Sequence, residues 1–355
     1  MSIAKVWKSA VVALGLMCMM SMNVLAQEIT QPTPVSFKEL QGVTIGNAQN
    51  ESAKKGVTVL VFKDGAKTGV HISGGGPASR ETPVLDPTKE DIGIHAIVLA
   101  GGSAFGLAAS DGVMQCLEEH GIGFDTRFAR VPLVVQSDIF DLAYGSSKIR
   151  PDSKMGYEAC MAALRNNNPV SGNIGAGTGA TVGKLMGMRQ AMKAGIGYHA
   201  VQIGQLKLGA VVVVNALGDV YSSDTGKKIA GLRNASRTEY LDSVQELYRI
   251  KAPQNLFTRT NTTIGAIVTN GKFDKAQLTR IAEQATNAYA RCIRPVGTLA
   301  DGDTIYAASC GELIDADVNM VGTLAADVMA KAIEDAIVAA QIPEEEYLAN
   351  CLTLP

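Results

Sequence analysis

Histidine is scarce: four occur in 355 residues, at positions 71, 95, 120 and 199. A Ser-His-Asp triad would have to draw its base from these four, and His95 lies inside "IHAIVLAG", an apolar stretch that reads as a core strand. No two cysteines are spaced as CxxC, so the common zinc and thioredoxin-type patterns are absent, and no metal or organic cofactor is expected. Basic clusters are missing too. With 32 Lys and Arg against 34 Asp and Glu the formal charge is −2, and no run of cations could follow a phosphate backbone, which argues against nucleic acid as a partner. The composition that remains, 46% hydrophobic and 19% charged, is that of a globular chain long enough for one large domain.

The first 26 residues, "MSIAKVWKSAVVALGLMCMMSMNVLA", carry Lys5 and Lys8, an apolar core from Ala10 to Met20, and Val24-Leu25-Ala26 before Gln27. This is the layout of a cleavable secretory signal. Its apolar core is shorter than the ~20 residues of a spanning helix. The expected product is secreted or periplasmic, with no membrane segment after cleavage. Five cysteines then remain, at 116, 160, 292, 310 and 351; export permits a disulfide, and the odd count leaves at least one thiol unpaired within the chain.

From residue 41 onward, strand-like and helix-like stretches alternate without a domain-sized linker, which predicts one α/β domain. Residues 27–40 read as a flexible lead-in. Strands are expected at 56–62, 68–73, 94–101, in "ARVPLVV" and in "LGAVVVVNALGDV"; helices are expected at 107–120, 153–166, 182–194, 274–291 and 320–340. The polar segment 233–260 reads as an exposed linker.

Two glycine-rich stretches fail the motifs they invite. In "GNIGAGTGATVGKL" the phosphate-loop pattern needs Gly at 178 and Ser or Thr at 185, where Thr178 and Leu185 stand. The dinucleotide fingerprint fails there as well. Lys184, at the end of that run, is either a solvated lysine at a helix start or a cation facing a site. In "GGSAFG" a nucleophile elbow around Ser103 would need Gly at 105, and the chain has Phe105. Asp301 and Asp303 in "LADGDTIYAA" lie two apart before a strand, hence on one side of it: a solvated turn, or a pair able to hold an ammonium or steer a proton.

The stretch "RTNTTIGAIVTN", 259–270, reads as a buried strand that opens on Asn261, Thr262 and Thr263. Together with "HAIVLAGGSAFGLAASDGV", "GGGPASRETPVLDP", "GNIGAGTGATVGKL", "GAVVVVNALGDV" and "DGDTIYAA", in that family's order, it resembles the DmpA-type aminopeptidases, peptidase family S58, including the nylon-oligomer hydrolase branch. The resemblance runs from about residue 41 to 340. It implies an N-terminal-nucleophile-like αββα sandwich of the DmpA and ornithine acetyltransferase type, made as one inactive chain that cuts itself between Asn261 and Thr262. The products would be a large chain, 27–261, and a small chain, 262–355, with no cofactor and a homo-oligomeric, tetrameric assembly.

By the same resemblance Thr262 is the nucleophile, and its freed amine, with a reference pKa of about 7.7–8.0, is the base. Asn215 is implied to stabilise the oxyanion, Lys184 to lie near the nucleophile, and Asp301 with Asp303 to orient the amine. Two positions depart from the pattern: Phe140 stands where the oligomer hydrolases have a catalytic tyrosine, and Gln136 where β-peptide aminopeptidases hold the substrate amine with a glutamate. The function expected is an amidohydrolase or aminopeptidase acting on small peptides or amides. An acyltransferase of the ornithine acetyltransferase type would instead move acetyl groups faster than it hydrolyses, and a periplasmic binding protein would stay one chain.

Overall fold

The longest strand belongs to two sheets. In the computed structural model, which describes residues 32–250 and 261–352, β1 spans Thr44–Asn50 and β2 spans Lys55–Ile72. The first part of β2, Val57 to Val61, pairs antiparallel with β1 on one side and with β3 (Ile94–Ala100) on the other. Its last part, Lys67 to Ile72, pairs with a strand of the second sheet. Between them the register shifts from Val61 to Ala66, and Gly65 takes φ +76°, a conformation that glycine adopts without strain. What the sequence presents as two strands is one bent strand.

After α1 (Ala109–Glu119), strand β4 (Val134–Asp138) joins the first sheet parallel to β3, with the short strand Ala78–Arg80 antiparallel at its outer edge. Helix α2 (Ser153–Arg165) follows, capped by the Asp152 carboxylate on the Met155 N–H. The second sheet runs β5 (Ile196–Ile203), β6 (Leu206–Asn215), β7 (Thr262–Gly271), β8 (Thr304–Ile314), then the end of β2; β7 and β8 are parallel and the other neighbours antiparallel. Helices α3 (Lys275–Ala285) and α4 (Val318–Val338) complete the chain's large elements.

Strand periodicity makes four layers of these parts. Along β6, Val211 and Val213 point between the sheets, where they meet Leu60, Leu99, Ile264 and Tyr306. Ala210, Val212 and Val214 point the other way, under α3 and α4. The outer face of the first sheet, with Val57, Val59 and Val98, lies under α1 and α2. The order is therefore α, β, β, α. Strands buried on both faces need near-continuous apolar sequence, which is why "AVVVVN" alternates nothing. Each fully buried valine contributes roughly 1.5–3 kcal/mol.

Several expectations change. Residues 182–194 form no helix: Thr181–Val182 and Met192–Lys193 pair as a small ribbon around a 3-10 turn at Met188–Gln190. Gly183 and Gly187 take φ +74° and +88°, and the space a Cβ of Gly183 would need lies 2.2 Å from the backbone of Gly231 and Leu232. The helix expected at 274–291 breaks at Thr286, whose Oγ1 donates to the Ala282 carbonyl; its start is capped by Asp274 in a capping box with Gln277. "ARVPLVV" splits at Pro132 into Arg130–Val131 and Val134–Asp138. The lead-in is less loose than expected, since Phe37 and Leu40 are buried and Phe37 meets Tyr198 edge to face at 5.5 Å. In 233–260, Ser243–Arg249 is a capped helix anchored by Ser243 on Asp219. Residues 251–260 and the signal-like 1–26 lie outside the described residues.

Candidate active site

The sheet itself brings two of the candidates together. β6 ends and β7 begins at the same level, so Asn215 faces Thr262 across the ladder. β8 starts beside them, Thr304 opposite Ile264, and this sets the loop 298–303 against the mouth of β7. Thr262, Asn261, Asn215, Asp301, Asp303 and Lys184 are all buried. The two aspartates are therefore no solvated turn, and Lys184 is neither solvated nor on a helix.

The aspartates divide their work. Asp303 accepts the Thr263 N–H at 2.6 Å and the Gly297 N–H at 3.0 Å, so it grips the first peptide of β7. Asp301 accepts the Thr298 N–H at 2.8 Å and its hydroxyl at 2.6 Å, which shapes its own loop. Burial and the neighbouring Asp301 charge push Asp303 up to about 7, against the two N–H bonds and Lys184. Lys184 moves the other way: burial pushes its ammonium down to about 7, although Asp301, Asp141 and Asp303 pull it up. Two opposite groups thus hold and release protons near neutrality, an arrangement typical of proton-transfer sites.

Asn215 is the hub. Its Oδ1 accepts from Lys184 Nζ at 3.0 Å and from the Thr181 N–H at 3.1 Å, while Lys184 also donates to its main-chain carbonyl at 2.9 Å. Its Nδ2 donates to the Phe140 carbonyl at 2.9 Å. Phe140 therefore joins the site through its backbone, a role its side chain does not reveal. Gln136 does not join it as a substrate anchor. Fully buried, its side chain bonds the Ser110 N–H and hydroxyl, the Gly106 carbonyl and Asp138, so it ties α1 to β4.

What holds Phe140 was not foreseen. The next residue, Asp141, is buried; its Oδ1 accepts the Gly102 N–H at 2.8 Å and lies 3.5 Å from Lys55 Nζ, which also donates to the Asp141 carbonyl at 3.1 Å. Cβ atoms on Gly101 or Gly179 would come within 2.2 Å of Asp141 Oδ2. The glycines of "GGSAFG" and "GAGTG" thus make room for a carboxylate, not a phosphate. An acid three residues past the end of β4, with glycine doublets elsewhere in the chain, is the available signal. Ser103 takes φ +55° and its N–H bonds the Ile139 carbonyl at 2.9 Å. His95 bonds the Leu133 N–H at the opposite end of β3, so no triad assembles around Ser103.

At the candidate cut, the Thr262 hydroxyl donates to the Asn261 carbonyl oxygen. The Asn261 side-chain amide is buried with neither atom bonded among the described residues. Below the hydroxyl sits Gly302, where a Cβ would stand 2.9 Å from Thr262 Oγ1 and 3.0 Å from the Gly76 carbonyl. Gly302→Ala is expected to push the hydroxyl off this position and to slow any Thr262 chemistry about tenfold or more, since a misplacement of about 1 Å can cost ~10²-fold. Unchanged rates in the variant would show that Thr262 has slack there. Among the described residues no cluster of three His, Cys, Asp or Glu is arranged to hold a metal.

With this geometry in hand, comparisons with known proteins agree on one group. The model described as peptidase family S58 matches residues 36–345. An uncharacterized aminopeptidase of Mycobacterium leprae is 36% identical over 310 residues, covering 81% of this chain and 83% of that one. A 6-aminohexanoate-oligomer endohydrolase of Agromyces sp. is 31% identical over 313 residues, 84% of each. Among solved structures, the L-aminopeptidase D-Ala-esterase/amidase of Ochrobactrum anthropi, described as a variant of the Ntn-hydrolase fold, superposes with a TM-score of 0.59 at 19% identity over 85% of each chain. The beta-aminopeptidase of Burkholderia sp. does so at 0.57, with 20% identity over 88% of each. These two likenesses show the fold.

Proposed function

Since the chain belongs to peptidase family S58, and so is a hydrolase of peptide or amide bonds in an Ntn-hydrolase fold, we propose that it cuts itself between Asn261 and Thr262 and then uses Thr262 as an N-terminal nucleophile. The observation that carries this reading is the placement of the Thr262 hydroxyl on the Asn261 carbonyl, with Asn215 opposite and Lys184 bonded to Asn215.

In the first step Thr262 Oγ attacks the Asn261 carbonyl carbon, and neutral Lys184 takes the hydroxyl proton. One hydrogen of Asn215 Nδ2 is held by Phe140; the second is free to meet the oxyanion. The C–N bond breaks, nitrogen takes the proton, and the resulting ester is opened by water to leave an Asn261 carboxylate and a Thr262 amine. Burial of the unbonded Asn261 amide, on the order of 1–3 kcal/mol for a lost partner, weights the balance toward release. The new amine, beside Asp303, then serves as base while Oγ attacks a substrate amide, forms an acyl-enzyme and yields it to water. β7 lies mid-sheet, between β6 and β8, so the two chains stay joined after the cut. Small peptides or amides are the substrates this reading assigns, on an exported, homo-oligomeric protein whose residues 1–26 are removed.

Denaturing electrophoresis with N-terminal sequencing tests the cut: two chains are expected, the smaller beginning Thr-Thr-Ile. A purified protein that stays one chain would sink the mechanism. Because Lys184 must be neutral to act and its ammonium is held at about 7, the neutral fraction grows with pH. The processing rate is expected to rise about tenfold from pH 6 to pH 8 and then level. Lys184→Arg, which stays charged, should abolish that rise; a wild-type rate that is flat or falls over this range would remove Lys184 as the base.

A further inference from the structure

Helices α1 and α2 meet more closely than ordinary side chains allow. A Cβ on Gly112 would lie 1.7 Å from the Ser153 carbonyl, and one on Gly156 2.0 Å from the Ala109 carbonyl. The contacts run in one direction along both helices: the Ser153 hydroxyl donates to the Ala108 carbonyl at 3.2 Å near their starts, and the Tyr157 hydroxyl to Glu119 at 2.7 Å farther on. The helices are therefore parallel, in register by way of Gly112 and Gly156. One turn beyond each glycine stands a cysteine, Cys116 on α1 and Cys160 on α2, both fully buried in the same apolar cluster.

In this structure both are thiols, near enough to shift one another's titration. That proximity draws the Cys116 thiol below its ordinary value and, with burial, pushes the Cys160 thiol up, which makes Cys116 the first of the two to ionise. The other described cysteines lie elsewhere: Cys292 under the second sheet, Cys310 between the sheets, and Cys351 against Met188 and Tyr347.

We propose that Cys116 and Cys160 are a disulfide-forming pair that ties α1 to α2 when the chain folds in a thiol-oxidising medium. Backbones in glycine contact one turn away keep the two helices close, as a disulfide with its Cα separation of about 4.4–6.8 Å requires. The oxidant is a small disulfide such as oxidised glutathione. Cys116 thiolate attacks one of its sulfurs and expels one thiol; Cys160 thiolate then attacks the Cys116 sulfur of the mixed disulfide and expels the second. Two thiols lose two protons and two electrons, and one oxidant disulfide becomes two thiols. The bond closes the chain from 116 to 160, the stretch that contains β4 and the Phe140 carbonyl on which Asn215 rests.

The test is to refold the full-length protein in a glutathione redox buffer, quench in acid, block free thiols with N-ethylmaleimide, reduce, relabel with iodoacetamide and map the peptides. Cys116 and Cys160 are expected to take the second label together, to appear as one linked peptide before reduction, and to raise the melting temperature by roughly 3–6 °C over the reduced protein. Cys116→Ser and Cys160→Ser should each abolish that rise. If a serine variant does not fold, the wild-type map alone decides. Both cysteines taking the first label, a glutathione adduct left on Cys116, or either one linked to Cys292, Cys310 or Cys351 would overturn the proposal.

Discussion

Thr262→Ala is expected to leave a single uncut chain and to lower amide hydrolysis by about 10⁴–10⁶-fold, the cost of removing a nucleophile from a site that works as a unit. Thr262 is buried at the first position of a central strand, and its β-carbon packs there whether or not the hydroxyl is present. Alanine removes the oxygen that bonds the Asn261 carbonyl together with one buried methyl group, a packing loss of about 1 kcal/mol. The variant should therefore fold, with the β6–β7 ladder intact. Thr262→Ser restores the oxygen and should restore the cut, at a reduced rate because the lost methyl no longer restricts χ1. An alanine variant that still splits after Asn261 would transfer the chemistry to another group and remove Thr262 from both reactions.

Asn215→Ala carries the second large effect, a loss of about 10²–10³-fold in the cutting rate, as for removal of one oxyanion donor. Its structural cost is separate. The Thr181 N–H and one bond of Lys184 lose their acceptor inside the protein, which costs on the order of 1–3 kcal/mol per orphaned group. Asn215→Asp separates the two effects, because it keeps the acceptor for Thr181 and Lys184 but has no N–H to give. That variant should keep the Thr181 and Lys184 contacts, lose the bond to the Phe140 carbonyl and cut slowly, its added charge also holding Lys184 protonated to higher pH. Cutting at the wild-type rate by Asn215→Asp would exclude Asn215 as an oxyanion donor, and its partnership with Phe140 would then be structural.

Which parts of the site were legible follows from how each residue is held. Thr262, Asn215, Asp301 and Asp303 stand at strand mouths, so apolar runs such as "AVVVVN" and "TTIGAIVTN" point to them by position. Lys184 was ambiguous, since a lysine after glycines looks like a helix start until the backbone of Gly231 is seen to occupy the space beside Gly183. The sequence marks Gln136 only as a departure from the family's pattern, because it does not say that Ser110 and Gly106, 26 and 30 residues away, come to meet its side chain. Asp141 was missed altogether. Its partners, Lys55, Gly102 and Gly179, are each tens of residues away in the chain, and only packing makes them neighbours.

By itself, then, the sequence determined the class and the family: near-continuous apolar strands alternating with helices point to one α/β domain, and ordered blocks around a threonine at a strand start carry the resemblance to the family. Those are local properties, set by backbone geometry and the gain from removing apolar surface from water. Tertiary structure decided the electrostatics. The position of Lys184 and Asp303 near neutrality, the carbonyl of Phe140 beneath Asn215, and the glycine space around Asp141 depend on which distant groups share a buried volume. Charge in a water-poor interior takes its behaviour from neighbours within a few ångströms, and those neighbours are chosen by the folding of the whole chain.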